Sequence, residues 1–195
     1  MSNYPYVELH CHSGFSFLDG SSQPQELVLE ASKMGYPSLA LTDHNGLYGS
    51  MEFAHEACKN GIQAIIGSEI TIALDIPEIP EKLRLLTTPN GEGDILSEGC
   101  HLTILAKNAI GYANLCKIIS EAHLKKTSIY PHVLLSSLIT QTEGLIILTG
   151  CHKGPLSIAL EDSFNTAEIV LRKLKNSLDQ NQLFIEIQDN KTKGQ

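Results

Sequence analysis

The chain has 195 residues, 42% of them hydrophobic and 18% charged, an ordinary globular composition with enough apolar material for one domain and a core of good size. Its net charge of −8 argues against autonomous binding of duplex DNA, which needs a basic face, so any role on DNA would be indirect, with a neighbouring domain supplying positive charge. Five cysteines without a CxxC pair, an N-terminus with no basic and then apolar run, and no apolar stretch near the roughly 20 residues of a membrane span predict a reduced, cytoplasmic protein with free thiols and no membrane partner.

Residues 6–9 read as a short strand that runs into His10, Cys11 and His12. Pro24 opens a helix whose apolar stripe is Leu27, Ala31 and Met34, and Gly35 ends it. A strand over 38–42 runs into Asp43 and His44. A helix follows over 47–60, with Leu47, Met51, Ala54 and Cys58 on one face. The next strand, 63–66, ends at Gly67, Ser68 and Glu69, and another extended run covers 70–74. Three times a short apolar strand ends in polar residues able to bind metal, and twice a helix returns the chain. This is the βα rhythm of a parallel sheet or barrel, whose chemistry sits at the C-terminal ends of strands.

Prolines and glycines break the rhythm over 75–100, a predicted loop or lid in which 76–81 is a solvated excursion. Beyond it come a strand over 101–106 and a helix over 108–122 carrying Tyr112, Leu115, Ile119 and Ala122. A short helix over 134–138 and a strand over 144–148 follow. Helices over 156–160 and 164–178 precede a last strand over 183–187. In the longer of these helices Ala167, Val170, Leu171, Leu174 and Leu178 face inward. The whole, 1–195, is expected to be a single α/β domain.

Candidate ligands are His10, His12, Asp19, Asp43, His44, Glu69, His101, Cys151 and His152. Residues i and i+2 at a strand end point to the same side, so His10 and His12 can converge on one ion. Nitrogen and oxygen donors with one thiolate suit Zn, Mn or Fe better than Ca or Mg. The reaction class they favour is metal-assisted hydrolysis of a phosphate ester. His101 fits the strand-end rule badly because it begins a strand; an antiparallel strand or an inward-bent loop would reconcile it. Asp43 also suits a helix N-cap. His55, His123, His132 and His152 read as surface histidines, Phe17 and Tyr48 as packing residues, and Lys125 and Lys126 as a solvated helix end.

Three stretches together resemble the PHP (polymerase and histidinol phosphatase) domain: 6–20 (YVELHCHSGFSFLDG), 41–49 (LTDHNGLYG) and 66–69 (IGSE). Their wording, with 148–155 (LTGCHKGP), is similar to the N-terminus of bacterial C-family DNA polymerases, the alpha subunit of polymerase III, and to the error-prone branch of them. The resemblance runs from about residue 4 to 189. It implies a distorted (β/α)7 barrel with up to three divalent ions, Zn or Mn with Fe as an alternative, and fewer in this chain. It implies that His10, His12 and Glu69 hold one metal, that Glu69 bridges to a second completed by His101 and Cys151, and that Asp19 and His44 hold a third. Asp43 is then a residue that orients its neighbour by hydrogen bonding.

Two departures from the family pattern stand out. Asn190 occupies a position where a histidine is common, and the last family motif, an Asp-x-His element, is expected beyond residue 195. The sequence is accordingly expected to cover a barrel truncated before its last strands, with self-association through the incomplete edge. The function implied is that of the N-terminal domain of an error-prone polymerase in DNA replication and repair. That domain would carry 3′–5′ phosphoesterase activity or hold a structural role toward the rest of the polymerase or a proofreading partner. The alternatives are a free-standing phosphatase of the histidinol-phosphatase type and a non-catalytic scaffold. No polymerase activity is expected from these residues alone.

Overall fold

The computed structural model describes residues 6–89, 99–124 and 130–188. Its first helix, α1 (Pro24–Lys33), begins where Pro24 lacks the N–H that a first turn leaves unpaired, and Glu26 accepts from the Gln23 N–H at 2.7 Å. It buries Val28 and Ala31, with Leu27 half-buried. Met34, expected inside, caps the helix and is exposed. After β1 (Ser38–Leu41) comes α2 (Ser50–Lys59). This helix starts later than the periodicity predicts, because 44–49 form the connection from β1. Its buried face is therefore Ser50, Phe53 and Ala57, while Met51 and Cys58 are exposed.

The strand β2 (Gln63–Ala73) is continuous, where the polar residues Gly67, Ser68 and Glu69 suggest a break. Those three pair with β3 (Cys100–Ala106), Glu69 opposite Thr103, so their backbone stays extended. Glu69 is thus within a strand, at the level where the parallel partner β1 has just ended. β3 is antiparallel to β2 and departs from the expected parallel rhythm. Its first residues, His101 among them, consequently lie at the same end of the sheet as the last residues of the parallel strands. Between β2 and β3 lies α3 (Glu81–Thr87). Ile76 and Ile79, predicted to be solvated, are 1% and 3% exposed and join Leu83 in the core, while Pro77, Glu78 and Pro80 face outward. Residues 90–98 of the expected lid, Lys125, Lys126 and Asn190 lie outside the described residues.

The remaining elements are α4 (Ala109–Leu124), β4 (Val133–Leu134), α5 (Leu135–Leu138), β5 (Leu145–Leu148), α6 (Pro155–Asp162), α7 (Phe164–Ser177) and β6 (Leu183–Phe184). β4, a strand without a sequence signal, pairs with the end of β2. α4 packs on β2, β3 and β5 through Leu115, Ile118 and Ala122, with Tyr112 turned out. α7 buries Ala167, Val170 and Leu174. β6 is shorter than the apolar run 183–187, and Ile187 is exposed. His132, expected at the surface, is buried. α4 lies so close to the turn before β5 that a Cβ on Gly111 would overlap the Gly144 carbonyl. Gly111→Ala should therefore cost about 2–3 kcal/mol, visible as a lower urea midpoint at unchanged m-value.

The sheet order is β1-β2-β3-β5-β6, with β4 beside β2. Residues 6–9, expected as a full strand, contribute one parallel bridge, Glu8 to Leu39, and the Ala40 N–H donates to the Glu8 carbonyl at 2.9 Å. The sheet curls until this edge faces β6 across a cavity of about 800 Å³ lined by Leu9, Ile65, Leu105, Ile146, Leu148 and Phe184. Among the described residues no strand pairing closes that seam. It is spanned instead by side chains, Glu186 reaching His10 at 2.6 Å. The architecture is a distorted, incompletely closed α/β barrel. No helix among the described residues is long and apolar enough to cross a membrane.

Candidate metal centre

The seven residues that the resemblance implies as ligands meet at one end of the curled sheet, around the carboxylate of Glu69. His10 Nε2 lies 3.3 Å from Glu69 Oε1, while His12 Nε2, His44 Nδ1 and His101 Nδ1 lie 3.4, 2.9 and 3.4 Å from Oε2. Cys151 Sγ is 3.7 Å from Oε1. Asp19 Oδ2 lies 2.8 Å from His12 Nδ1 and 2.9 Å from His44 Nε2, so these two imidazoles stand between two carboxylates. The donors form three overlapping triads: His10, His12 and Glu69; His12, Asp19 and His44; His44, Glu69 and His101.

Backbone pairing places most of these candidate ligands. The Thr42 N–H donates to the Cys11 carbonyl and the Asn45 N–H to the Glu69 carbonyl, both at 2.9 Å, which sets His10, His12, His44 and Glu69 at one height. The His101 N–H donates to the Lys153 carbonyl at 3.0 Å and draws the loop bearing Cys151 toward β3. His152, a further candidate, is exposed on that loop outside the cluster. Asp43 is not among the converging donors. Buried behind them, it accepts from the Ser13 N–H at 2.7 Å, the Ser13 hydroxyl at 2.8 Å and the Ser16 hydroxyl at 2.7 Å. Its role is to tie down the loop that carries Asp19.

The spacing and electrostatics suit a cation. Donors bound to one tetrahedral ion at about 2.0–2.1 Å stand about 3.3–3.4 Å apart, the separation of three of the imidazoles from Glu69 and longer than a good hydrogen bond. His12 Nε2 is a buried ring nitrogen without a hydrogen-bond partner, a costly state that an ion would relieve. Burial alone would raise the Glu69 pKa, yet the imidazoles of His10, His101, His12 and His44 gathered around it hold its carboxyl well below the usual carboxylate range. Burial opposes charge on His10, but Glu186 and Glu69 outweigh it and push the imidazole up to about 10. His44 shifts up in the same way, burial being overcome by Glu69 and then Asp19. Burial pushes the Cys151 thiol up to about 11 against the Lys153 N–H, with Glu69 and Glu186 adding to the rise. Without a cation this donor stays protonated.

Glu186 is a residue of the centre that the sequence reading passed over. Its carboxylate takes the His10 Nδ1 side at 2.6 Å and is itself held by the Thr103 hydroxyl at 3.2 Å and the Gln188 amide at 2.7 Å. A carboxylate behind a histidine fixes the tautomer and turns the other nitrogen toward the metal. In the sequence Glu186 stands in the last apolar run and opens the Glu-x-Gln-Asp stretch before Asn190, and neither marks it as a partner of His10.

The profile of the PHP domain family matches residues 8–190. The chain belongs to the PHP family. It is 36% identical over 190 residues to an error-prone DNA polymerase of Cutibacterium acnes, covering 96% of this chain and 16% of that one. It is 36% identical over 190 residues to the DNA polymerase III subunit alpha of Treponema pallidum, covering 97% of this chain and 15% of that one. This PHP chain therefore spans about a sixth of the length of those polymerases. Among solved structures, a two-domain protein of Bacteroides vulgatus described as containing a "predicted PHP-like metal-dependent phosphoesterase" aligns with a TM-score of 0.43 at 20% identity, over 73% of this chain and 33% of that one.

Proposed function

We propose that this PHP chain is the metal-dependent phosphoesterase module of an error-prone polymerase III alpha-type protein, acting on 3′ ends of DNA during replication and repair. The observation that carries this reading is the gathering of four imidazoles and two carboxylates into three overlapping triads, with a buried ring nitrogen of His12 left without a hydrogen-bond partner. His10, His12, Asp19, His44, Glu69, His101 and Cys151 would hold the ions, Zn or Mn by their donor chemistry. Divalent ions bound there would supply Lewis-acid polarisation of a phosphoester and of water. Glu186 orients His10, Asp43 fixes the loop of Asp19, and Glu69 supplies the buried negative charge that the triads share. The rest of a polymerase chain is the natural partner, since the matching polymerases carry this region as a small share of their length.

The test is elemental analysis of protein purified without chelator or histidine tag, followed by assay on a 3′-labelled oligonucleotide. Two or more equivalents of metal are expected, lost together in the His10→Ala/His12→Ala double variant. Release of the 3′ nucleotide should fall at least about 100-fold with them. A metal-loaded chain that cleaves a small phosphomonoester and leaves the oligonucleotide intact would favour a free-standing phosphatase. A loaded chain that cleaves neither would leave the ions a structural role.

A further inference from the structure

The metal ligands do not account for the cleft beside them. A space of about 710 Å³ adjoins Asp19, His44 and His101 and is also lined by Phe17, Tyr48 and Tyr130, a size typical of small-ligand sites. Phe17 and Tyr48, expected from the sequence to be packing residues, are 85% and 62% exposed. Large apolar side chains shown to water at the mouth of a polar centre mark a surface with a use.

Both rings sit on ordered supports. Residues 13–20 form successive turns in which the Ser16 N–H donates to the Ser13 carbonyl and the Asp19 and Gly20 N–H groups donate to the Ser16 carbonyl, at 2.9–3.0 Å. Buried Asp43 anchors the same loop. Leu18 takes φ 68°, a left-handed conformation that costs a leucine energy. It lies between Phe17 and Asp19, so the strained turn that delivers Asp19 to His12 and His44 also sets Phe17 at the cleft. Tyr48 is supported differently. Its ring lies over Gly46, where a Cβ would overlap ring atoms, and 6.4 Å from the Phe15 ring at an interplanar angle of 32°.

An exposed ring on a fixed support beside a phosphoester centre suits a flat organic group. Stacking on aromatic side chains accepts any base, because every base has a π-face. We propose that Phe17 and Tyr48 are a stacking platform for the terminal base of a single-stranded nucleic-acid end, with Gly46 the positioning residue that leaves the Tyr48 ring its place. The platform rests on the phosphoesterase reading above and adds what distinguishes a nucleotide from a plain phosphate. It also suits a chain of net charge −8. Such a chain gains little from tracking a phosphate backbone, so recognition would be confined to the last unpaired nucleotides, with a shallow salt dependence.

The experiment uses the full chain loaded with Mn²⁺ and two probes. One is a phosphorothioate-linked dinucleotide ending in 2-aminopurine, whose fluorescence falls when the base stacks; the other is inorganic phosphate, which has no ring. Tyr48→Leu and Gly46→Ala should each weaken the dinucleotide about tenfold, Tyr48→Phe should bind as the parent does, and phosphate affinity and metal content should be unchanged in all three. The platform is overturned alone if Tyr48→Leu and Phe17→Ser bind and quench the dinucleotide like the parent, or if the parent binds phosphate without quenching the base. Failure of the loaded parent to bind either probe removes the phosphoesterase reading and the platform with it.

Discussion

Glu69→Gln should empty the centre. All three triads depend on groups that gather at this carboxylate, and two of them include it directly, so metal affinity should fall at least about 100-fold, measured by titration with a chelating indicator. The metal-free protein should suffer too. Glu69 faces four imidazoles while its side chain is 2% exposed, and removing one member of a buried charge cluster costs about 3–5 kcal/mol because its partners are left uncompensated. The pH dependence has a definite sign. The His10 imidazole is held up to about 10, above its ordinary 6.5, so its contribution is complete below the ordinary imidazole range and is lost as pH rises through about 10. The gap in unfolding free energy between parent and variant, measured in chelator, should therefore be wide at pH 6 and narrower above pH 10. An equal gap at both would mean that His10 is not charged in the folded chain.

Asp43→Ala should be nearly as damaging without removing a ligand. The carboxylate is 2% exposed and takes three hydrogen bonds from Ser13 and Ser16. Alanine leaves three donors facing a buried gap at about 1 kcal/mol or more each, so a loss of about 3–4 kcal/mol is expected in chelator. The same change frees the loop bearing Asp19, so metal retained by the folded variant should drop by about one equivalent, with the remainder held by His10 and Glu69. Asp43→Asn should lose less, because its amide can donate to the Ser13 hydroxyl where the carboxylate accepted. Full metal content in a destabilised Asp43→Ala chain would show that the loop and the centre are independent.

Much of this was legible in the sequence because strand ends are local signals. The pair His10 and His12, and His44 after β1, are visible as polar residues following short apolar runs, and the helices show in their apolar periods and glycine stops. What escaped was set by partners distant in the chain. Glu69 looks like a strand end because Gly67 and Ser68 carry no apolar side chain, yet it is held inside β2 by pairing with β3 some 30 residues on. The direction of β3 has no sequence signature of its own, which is why His101 seemed misplaced. Glu186 reaches His10 across 176 positions, a separation no local pattern spans. Phe17 and Tyr48 have the composition of core residues, and only the turns that carry them turn them outward.

The antiparallel β3 has one more consequence, for how this chain accepts change. Ile72 near the end of β2 lies opposite Cys100 at the start of β3, so the connection between them leaves and returns at one place. Each doubling of such a loop costs only about 0.6 kcal/mol in closure entropy. The parallel pair β1 and β2 requires instead a crossover long enough to travel back along the sheet, and α2 supplies it. Length variation, and grafted modules, would thus be absorbed between β2 and β3, on the side of the barrel where the candidate ligands gather.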